Sequence, residues 1–250
     1  MKGGSEQGSV GAEDRVGWTR RIDQLDWPGI GRALDAGGYA VVPALISAQA
    51  CASIAAWYPD DSRFRSRIVM QRHGFGQGEY KYFDYPLPDL VDCLRTRLYP
   101  HLVPIAQRWC TSMAMPVRFP VEHPAFLARC HEAGQLRQTS LLVRYGPGDY
   151  NCLHQDLYGD QVFPLQAVLL LAEPGRDFSG GELVLTEQRP RMQSRVEVVP
   201  LNQGDLVIFA SQYRPVAGVR GTYRVNLRHG VSRVRSGQRH SLGIIFHDAS

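Results

Sequence analysis

Hydrophobic and polar residues alternate along the second half of the chain, the pattern of short β-strands with one buried face. Leu141, Val143 and Tyr145 fall on one side of the first such strand. Alternating or short apolar runs predict further strands at 166–171, 183–186, 195–199, 206–209, 223–229 and 240–247. Because these strands are short and separated by turns that carry Gly and Pro, they predict a double-sheet jelly roll or a barrel.

The first half of the chain is patterned mainly for helices. Helical signals occupy three segments, 27–36, 47–57 and 89–109, and a strand is predicted at 39–43. In the third helix, leucines recur at every fourth position, which is typical of an amphipathic helix. We expect Pro100 and Pro104 to break this helix into two pieces, because proline removes a backbone donor and clashes with the preceding turn.

Together these patterns predict a mainly β protein with flanking helices, of the α+β class. Its core would be a double-stranded β-helix, or jelly roll, on an N-terminal helical support. Residues 1–17 are rich in Gly, Ser and Glu and are expected to form a flexible tail. The rest, 18–250, is expected to be a single domain with its helical support at 18–138 and its jelly-roll core at 139–250.

Composition excludes several classes of protein. The chain has 250 residues, 44% of them hydrophobic, which is enough for a packed core and excludes disorder throughout. No apolar run approaches the roughly 18 residues of a membrane span, and the N-terminus lacks the apolar stretch of a secretory signal. We therefore expect a soluble, cytoplasmic protein with no membrane partner. Its five cysteines are scattered singly, which indicates neither a disulfide framework nor a zinc site.

The net charge is only +4, but the basic residues are unevenly distributed. Between Leu206 and His247 there is no acidic residue and there are seven arginines. A second basic cluster lies among aromatic residues and comprises Arg63, Arg65, Arg67, Arg72 and Lys81. Two interpretations stay open for this cluster: contacts to the phosphates and bases of a nucleic acid, or a hairpin that packs its aromatics over the barrel mouth with its arginines in solvent.

Candidate chemistry starts with His154 and Asp156, which are two residues apart and project to the same side of an extended backbone. Further along, alternation places His229 on the apolar face of its strand, pointing into the core. Two histidines and one carboxylate form the facial triad that holds Fe(II) and leaves positions open for other ligands. His240 and His247 are weaker candidates for the third ligand, because His240 faces away from Arg239 and His247 is close to the end of the chain.

An inward-facing arginine supplies the second feature. Arg239 and Ser241 share one face of the last predicted strand. Burying a guanidinium without an anion costs free energy, so we expect Arg239 to bind a carboxylate. The guanidinium can bind it bidentately, and the hydroxyl of Ser241 can add a hydrogen bond.

The order His-x-Asp, His, Arg-x-Ser across residues 139–247 resembles that of the Fe(II)- and 2-oxoglutarate-dependent dioxygenases. The resemblance implies Fe(II) and 2-oxoglutarate as cofactor and co-substrate, with O2 as the oxidant. It also implies the site residues: His154, Asp156 and His229 for iron, Arg239 and Ser241 for the distal carboxylate of 2-oxoglutarate, and Tyr145 for a further contact to the co-substrate. Ordinary core packing is the alternative role for Tyr145.

Three subfamilies are similar to different parts of the chain. Tyr145-x-Pro147-Gly148 and His154-Gln155-Asp156 resemble motifs of the alkylated-DNA repair demethylases, but the Arg-x-Asn motif expected later in that group is missing. The ten-residue spacing from His229 to Arg239 is instead similar to that of prolyl 4-hydroxylases. The N-terminal half, with segments 64–67, 70–76 and 80–83, resembles a group of prokaryotic oxygenases linked to oxidation of damaged nucleic acid.

These resemblances imply an enzyme that hydroxylates or oxidatively demethylates its substrate, with alkylated nucleic acid slightly favoured. A protein hydroxylase of the prolyl type and a small-molecule hydroxylase are the alternatives within the superfamily. An alternative of another class is a non-catalytic, cupin-like binding module, against which the buried Arg239 argues. The oligomeric state is left open.

Overall fold

A computed structural model describes residues 12–219 and 221–250. The helices of this part are α1 (Ala12–Asp23), α2 (Trp27–Gly37), α3 (Ala48–Ala55), α4 (Asp89–Ser112) and α5 (His123–Glu132). The strands of the first half are β1 (Tyr39–Val42), β2 (Phe64–Val69), β3 (Gly76–Gln77) and β4 (Glu79–Phe83). Those of the second half are β5 (Leu141–Tyr145), β6 (Tyr150–His154), β7 (Leu165–Leu170), β8 (Phe178–Gly180), β9 (Leu183–Gln188), β10 (Arg195–Val199), β11 (Leu206–Ala210), β12 (Tyr213–Gly218), β13 (Gly221–Val231), β14 (Val234–Gly237) and β15 (Arg239–Ile244).

Two large antiparallel sheets form the jelly roll. The larger sheet has the strand order β1-β11-β7-β15-β5-β4-β2. The smaller has the order β10-β9-β13-β6-β3, with β12 paired to β13, and a separate pair joins β14 to β8. The prediction of a mainly β fold with a jelly-roll core and flanking helices is confirmed.

Alternation along the strands divides the hydrophobic residues between two cores. On β5, Leu142 packs with leucines of α4 in the core between the helices and the larger sheet. Its neighbour Val143 points the other way and packs with Leu185 and Phe209 in the core between the two sheets. The central strands of the larger sheet, β7, β11 and β15, are therefore buried on both faces, and the space between the sheets holds the candidate site.

Helices α2 and α3 confirm the helices predicted at 27–36 and 47–57, although α3 ends at Ala55, two residues earlier than predicted. The carboxylate of Asp26 caps the N-terminus of α2, and Gly38 ends it in a left-handed conformation with φ of 80°. Ser47 accepts a hydrogen bond from the backbone N–H of Ala50 and caps the N-terminus of α3.

The predicted tail needs correction at its end. Positions 1–11 lie outside the described residues, but α1 begins at Ala12, so 12–17 continue into a helix. Trp18 and Ile22, which follow this segment, are buried in the helical core and pack α1 against α4. This packing stabilises the helix from Ala12 onward.

The predicted break in α4 is wrong. The helix continues from Asp89 to Ser112 with both Pro100 and Pro104 inside it. A proline in a helix interior costs about 3 kcal/mol, whereas each fully buried leucine contributes about 1.5–3 kcal/mol. Leu94, Leu98 and Leu102 are completely buried, so packing outweighs the lost backbone hydrogen bonds.

The N-terminal half contributes more than helical support. Strand β1 pairs with β11, β4 pairs with β5 and β3 pairs with β6, so both large sheets include strands from residues 18–138. The sequence analysis predicted β1 as a strand and left a hairpin open for the basic cluster at 63–81, but it predicted none of these pairings. Strand β2 at the sheet edge and its neighbour β4 carry charged residues on partly buried faces, which weakens the signal of a strand. The assignment of 18–250 to a single domain stays a prediction.

In the described part of the chain, no helix is both long and apolar enough to cross a membrane. The five cysteines are free thiols; four are buried and Cys152 is exposed.

Candidate active site

Two neighbouring strands of the smaller sheet bring the predicted metal ligands together. His229 on β13 lies directly opposite His154 at the end of β6. The register then shifts by one residue before Val231 pairs with Asn151, which is a β-bulge. Bulges turn side chains at the rims of barrels. Here the bulge immediately precedes His154 and Asp156.

The three side chains form a compact cluster. One ligand atom from each of His154, Asp156 and His229 lies within 4.8 Å of the others. Nε2 of His229 is 3.1 Å from Oδ2 of Asp156, and Nε2 of His154 is 3.5 Å from Oδ1. Both histidines therefore direct Nε2 at the same carboxylate.

Neighbouring groups set the protonation of this cluster. Nδ1 of His154 donates a hydrogen bond to the carbonyl oxygen of Cys152 at 2.8 Å, which leaves Nε2 free to act as a ligand. Burial opposes the charged form of Asp156, but hydrogen bonds from His154 and His229 hold its pKa well below the usual value. Burial and the neighbouring His154 lower the pKa of His229. Burial opposes the charged form of His154, but its hydrogen bond to Asp156 and the charge of that carboxylate raise the pKa of this histidine. A metal ion bound here would displace the proton that His154 shares with Asp156.

Arg239 and Ser241 lie on β15 of the larger sheet, facing the same cavity. Arg239 is only 1% exposed, and its one hydrogen bond runs from Nη1 to Oγ of Ser241 at 3.1 Å. Its Nε is buried without a partner. Among the described residues, no carboxylate lies within ion-pair distance of Arg239. A buried, unpaired guanidinium is energetically costly and favours the binding of an anion.

Tyr145 is paired with Arg239 across β5 and β15. It is almost fully buried, and its ring centre lies 5.6 Å from the guanidinium carbon. Tyr145 therefore lines the same end of the cavity as Arg239.

One cavity of about 380 Å3 joins the two groups of residues. The histidines and Asp156 line it from the smaller sheet, while Tyr145, Arg239 and Ser241 line it from the larger. Its walls are otherwise mostly apolar and include Val143, Leu183 and Val231. Two large apolar side chains on its lining are exposed, Phe75 at 47% and Leu153 at 44%, and they mark its mouth.

Comparison with known proteins decides the family. Residues 78–249 match the model of the Oxygenase-NA family, described as an oxygenase catalysing oxidative methylation of damaged DNA. The chain belongs to this family. It is also 46% identical, over 190 residues, to the uncharacterized proteins MT2286 and Rv2227 of Mycobacterium tuberculosis, covering 76% of this chain and 79% of each relative.

Solved structures of other oxygenases share the fold of this Oxygenase-NA protein. A 2OG-Fe(II) family oxidoreductase from Burkholderia pseudomallei aligns with a TM-score of 0.53 at 16% identity, covering 91% of this chain and 94% of that one. A prolyl hydroxylase from Trichoplax adhaerens, in complex with a hypoxia inducible factor peptide, aligns with a TM-score of 0.56 at 12% identity, covering 94% and 92%. At these identities the likeness shows the fold alone.

The Oxygenase-NA protein is thus an oxygenase. Two observations of the structure fit Fe(II) and 2-oxoglutarate, the cofactor and co-substrate expected from the sequence. The two-histidine, one-carboxylate set suits Fe(II), and the orphaned Nε of Arg239 suits the far carboxylate of a dicarboxylic keto acid.

The two other candidate histidines lie outside the cluster of metal ligands. His240 lies on the opposite side of β15, where its ring packs edge-on against Tyr58. Nδ1 of His247 accepts a hydrogen bond from the backbone N–H of Phe163, and the ring is buried behind Tyr158.

The sequence analysis did not identify two side chains that lie near the cluster. The hydroxyl of Tyr158 donates a hydrogen bond to Oδ1 of Asp156 at 2.5 Å. The amide nitrogen of Gln166 lies 3.3 Å from Nε2 of His229. Tyr158 continues the alternation of His154 and Asp156 by two residues, a signal that could have found it. Gln166 had no such signal, since it lies on β7 in the other sheet.

The structure changes the interpretation of the basic cluster at 63–81. Arg63 pairs with Asp60, Arg67 with Glu79 and buried Lys81 with Asp61. Arg65 donates to the carbonyl oxygen of Gln138 and packs over Tyr82. Among the described residues of this cluster, only Arg72, which is exposed, has neither an ion pair nor a side-chain hydrogen bond. Most of this cluster therefore serves the fold of the β2–β4 region.

Proposed function

We propose that His154, Asp156 and His229 hold Fe(II), and that Arg239 with Ser241 binds the distal carboxylate of 2-oxoglutarate. One observation carries this proposal. The metal-ligand set and the unpaired guanidinium face the same cavity from opposite sheets. A structural histidine cluster or a plain binding module has no need for both.

The residues of the chain have distinct tasks in this proposal. The guanidinium of Arg239 orients the co-substrate and neutralises its far carboxylate, and the hydroxyl of Ser241 adds a hydrogen bond. Tyr145 packs beside Arg239 and limits the space at that end. The backbone carbonyl of Cys152 holds the ring of His154 in the tautomer that presents Nε2.

Bound Fe(II) supplies the activation of O2 that couples decarboxylation of 2-oxoglutarate to hydroxylation of a substrate C–H bond. The apolar walls of the cavity exclude water around this reaction. If the hydroxylated carbon is an N-methyl group, the product releases formaldehyde and leaves the demethylated amine.

We propose an alkylated nucleic acid as the substrate. Support comes from the family description, which names damaged DNA, and from the mouth of the cavity. There the exposed ring of Phe75 is stacked with that of His73, with centroids 5.3 Å apart, and Arg72 is exposed beside them. Aromatic faces stack on unpaired bases and an arginine attracts phosphate. A base in a duplex must leave its stack to enter the cavity.

The first experiment tests the site residues. His154→Ala should abolish the formation of succinate from 2-oxoglutarate in the presence of Fe(II) and O2, because a ligand is lost. His101→Ala is the matched control: this histidine stacks on Trp27, on the surface of α4, and its loss should leave succinate formation unchanged. Undiminished succinate formation by His154→Ala would contradict the assignment.

A second experiment tests the substrate. N-methylated single-stranded oligonucleotides, a proline-containing peptide and buffer alone are compared for succinate formation, with formaldehyde measured in each reaction. We expect the oligonucleotides to stimulate succinate formation and to release formaldehyde, and their binding to weaken steeply with added salt. Stimulation by the peptide alone would replace nucleic acid with a protein substrate.

A further inference from the structure

Tyr158 makes a contact that core packing does not explain. Its hydroxyl donates to Oδ1 of Asp156 at 2.5 Å, inside the ligand cluster. Asp156 is 8% exposed, so little water is available to replace this hydrogen bond. The other oxygen, Oδ2, has no hydrogen bond to Tyr158 and lies 3.1 Å from Nε2 of His229, whereas Oδ1 also lies 3.5 Å from Nε2 of His154. The two oxygens of the carboxylate therefore have different surroundings.

The surrounding structure holds Tyr158 in place. Its ring meets that of Tyr82 edge-on, at 90° and 6.5 Å, and lies 6.2 Å from the ring of His247. Its backbone carbonyl accepts a hydrogen bond from the side-chain amide of Gln135 at 3.3 Å. The same amide donates to the carbonyl oxygens of Gln161 and Asp248, so one buried side chain ties this loop to the C-terminal segment. The direction of the Tyr158 hydroxyl is thus set by contacts outside the metal cluster.

We infer that Tyr158 is a positioning residue for Asp156, which occupies Oδ1 and presents Oδ2 to the metal ion. This inference rests on the proposed role of Asp156 as an iron ligand. A carboxylate can rotate about its last bond and can bind a metal through one oxygen or both. A hydrogen bond to one oxygen selects a single orientation before the ion arrives, as partners of metal ligands generally do.

The test uses the full chain and Co(II) as an air-stable substitute for Fe(II). Tyr158→Phe removes only the hydroxyl and keeps the ring against Tyr82. We expect Co(II) affinity, measured by calorimetry, to fall about 10- to 100-fold, the usual effect of losing such a partner. The visible absorption of bound Co(II) should also change, because the carboxylate is free to rotate.

The matched control is Tyr99→Phe. Tyr99 is fully buried, and its hydroxyl donates to the carbonyl oxygen of Pro120, outside the cavity lining. Its loss should leave Co(II) affinity and the spectrum unchanged. In turnover, Tyr158→Phe should raise the Fe(II) concentration needed for half-maximal rate, while the KM for 2-oxoglutarate stays constant because Tyr158 does not contact Arg239.

The possible outcomes distinguish failure of the inference about Tyr158 from failure of the proposed metal site. Wild-type affinity and spectrum in Tyr158→Phe, with Co(II) bound by the wild type, would overturn the inference and leave the proposed function intact. Absence of Co(II) binding in the wild-type protein, with His154→Ala indistinguishable from it, would overturn the metal site and the inference with it. A loss in Tyr99→Phe equal to that in Tyr158→Phe would show a general loss of fold and also contradict the inference.

Discussion

At the scale of single residues, the most informative side chain is Arg239. A full positive charge lies 1% exposed between two sheets with one serine hydroxyl as its hydrogen-bond partner. Burial lowers the pKa of its guanidinium, but arginine keeps its proton in proteins. The charge is therefore present, and the proposed binding of the distal carboxylate of 2-oxoglutarate would neutralise it.

Arg239→Ala should raise the KM for 2-oxoglutarate by about 10- to 100-fold, because charge-assisted hydrogen bonds contribute about 1.5–3 kcal/mol. Co(II) affinity without 2-oxoglutarate should not change. Steady-state succinate assays across a 2-oxoglutarate series check this expectation. Arg233→Ala, at an exposed position, is the control. An unchanged KM in Arg239→Ala would contradict the role of this residue.

At the scale of elements, the pairing of β6 with β13 brings the histidines together. Gly230, next to His229, allows this close approach. A Cβ at this position would lie 2.7 Å from the backbone oxygen of Asn151 and 3.2 Å from the carbonyl carbon of Cys152. Any larger residue would therefore push β6 away from β13, and His154 with it.

Gly230→Ala should weaken Co(II) binding at least tenfold and destabilise the protein by about 1–3 kcal/mol, the usual cost of overpacking. Calorimetric titration and urea denaturation measure the two effects. Gly17→Ala serves for comparison: it lies in α1 with nothing within 4 Å of the added Cβ, and alanine suits a helix better than glycine. Wild-type behaviour of Gly230→Ala would show that the strands tolerate separation.

The same scale shows what the sequence could predict. Strand β13 alternates strictly because one face meets a dry core, so the inward direction of His229 was predictable. Strand β6 is partly exposed on both faces at the mouth and carries no such alternation. In α4, the two prolines predicted a break. The helix stays continuous because its leucines pack against elements that are distant in the chain. Tyr158 belongs to a loop held by Gln135, a contact that no local pattern encodes.

At the scale of the whole molecule, the C-terminal segment 245–248 is held against helices α4 and α5 by an ion pair and hydrogen bonds. Asp248 is completely buried and pairs with Arg95 of α4 at 2.6 Å. Arg95 also donates to the carbonyl oxygen of Ile245. On α5, Nε2 of His123 donates to the carbonyl oxygen of Phe246 at 2.8 Å. The residues that follow β15 therefore complete the core behind the site.

This arrangement makes stability sensitive to acid. Burial, with a smaller effect of Arg95, lowers the pKa of His123 to about 3. In the unfolded chain the same group takes up a proton near pH 6.5, so the unfolded state binds more protons as the pH falls. The contribution of neutral His123 to the free energy of unfolding is fully present above about pH 6.5 and is lost progressively as the pH falls towards 3.

His123→Gln should reduce this loss, since the amide can still donate to Phe246 but does not titrate. Between pH 6.5 and 4.5, the wild type should lose roughly 2 kcal/mol more than the variant, because the unfolded histidine is half protonated at pH 6.5 and almost fully protonated at pH 4.5 while the folded one stays neutral. Urea denaturation at both pH values measures the difference. His73→Gln, at an exposed position, is the control. Equal acid sensitivity of wild type and His123→Gln would assign the effect to other groups.

The pairing of His154 with His229 across β6 and β13 also has a consequence for the order in which the enzyme is assembled. During biosynthesis, His154 and Asp156 are made before His229. A nascent chain holding His154 and Asp156 alone offers two ligands, too few to select Fe(II). The proposed iron site can therefore form only after β13 has been synthesised and has paired with β6.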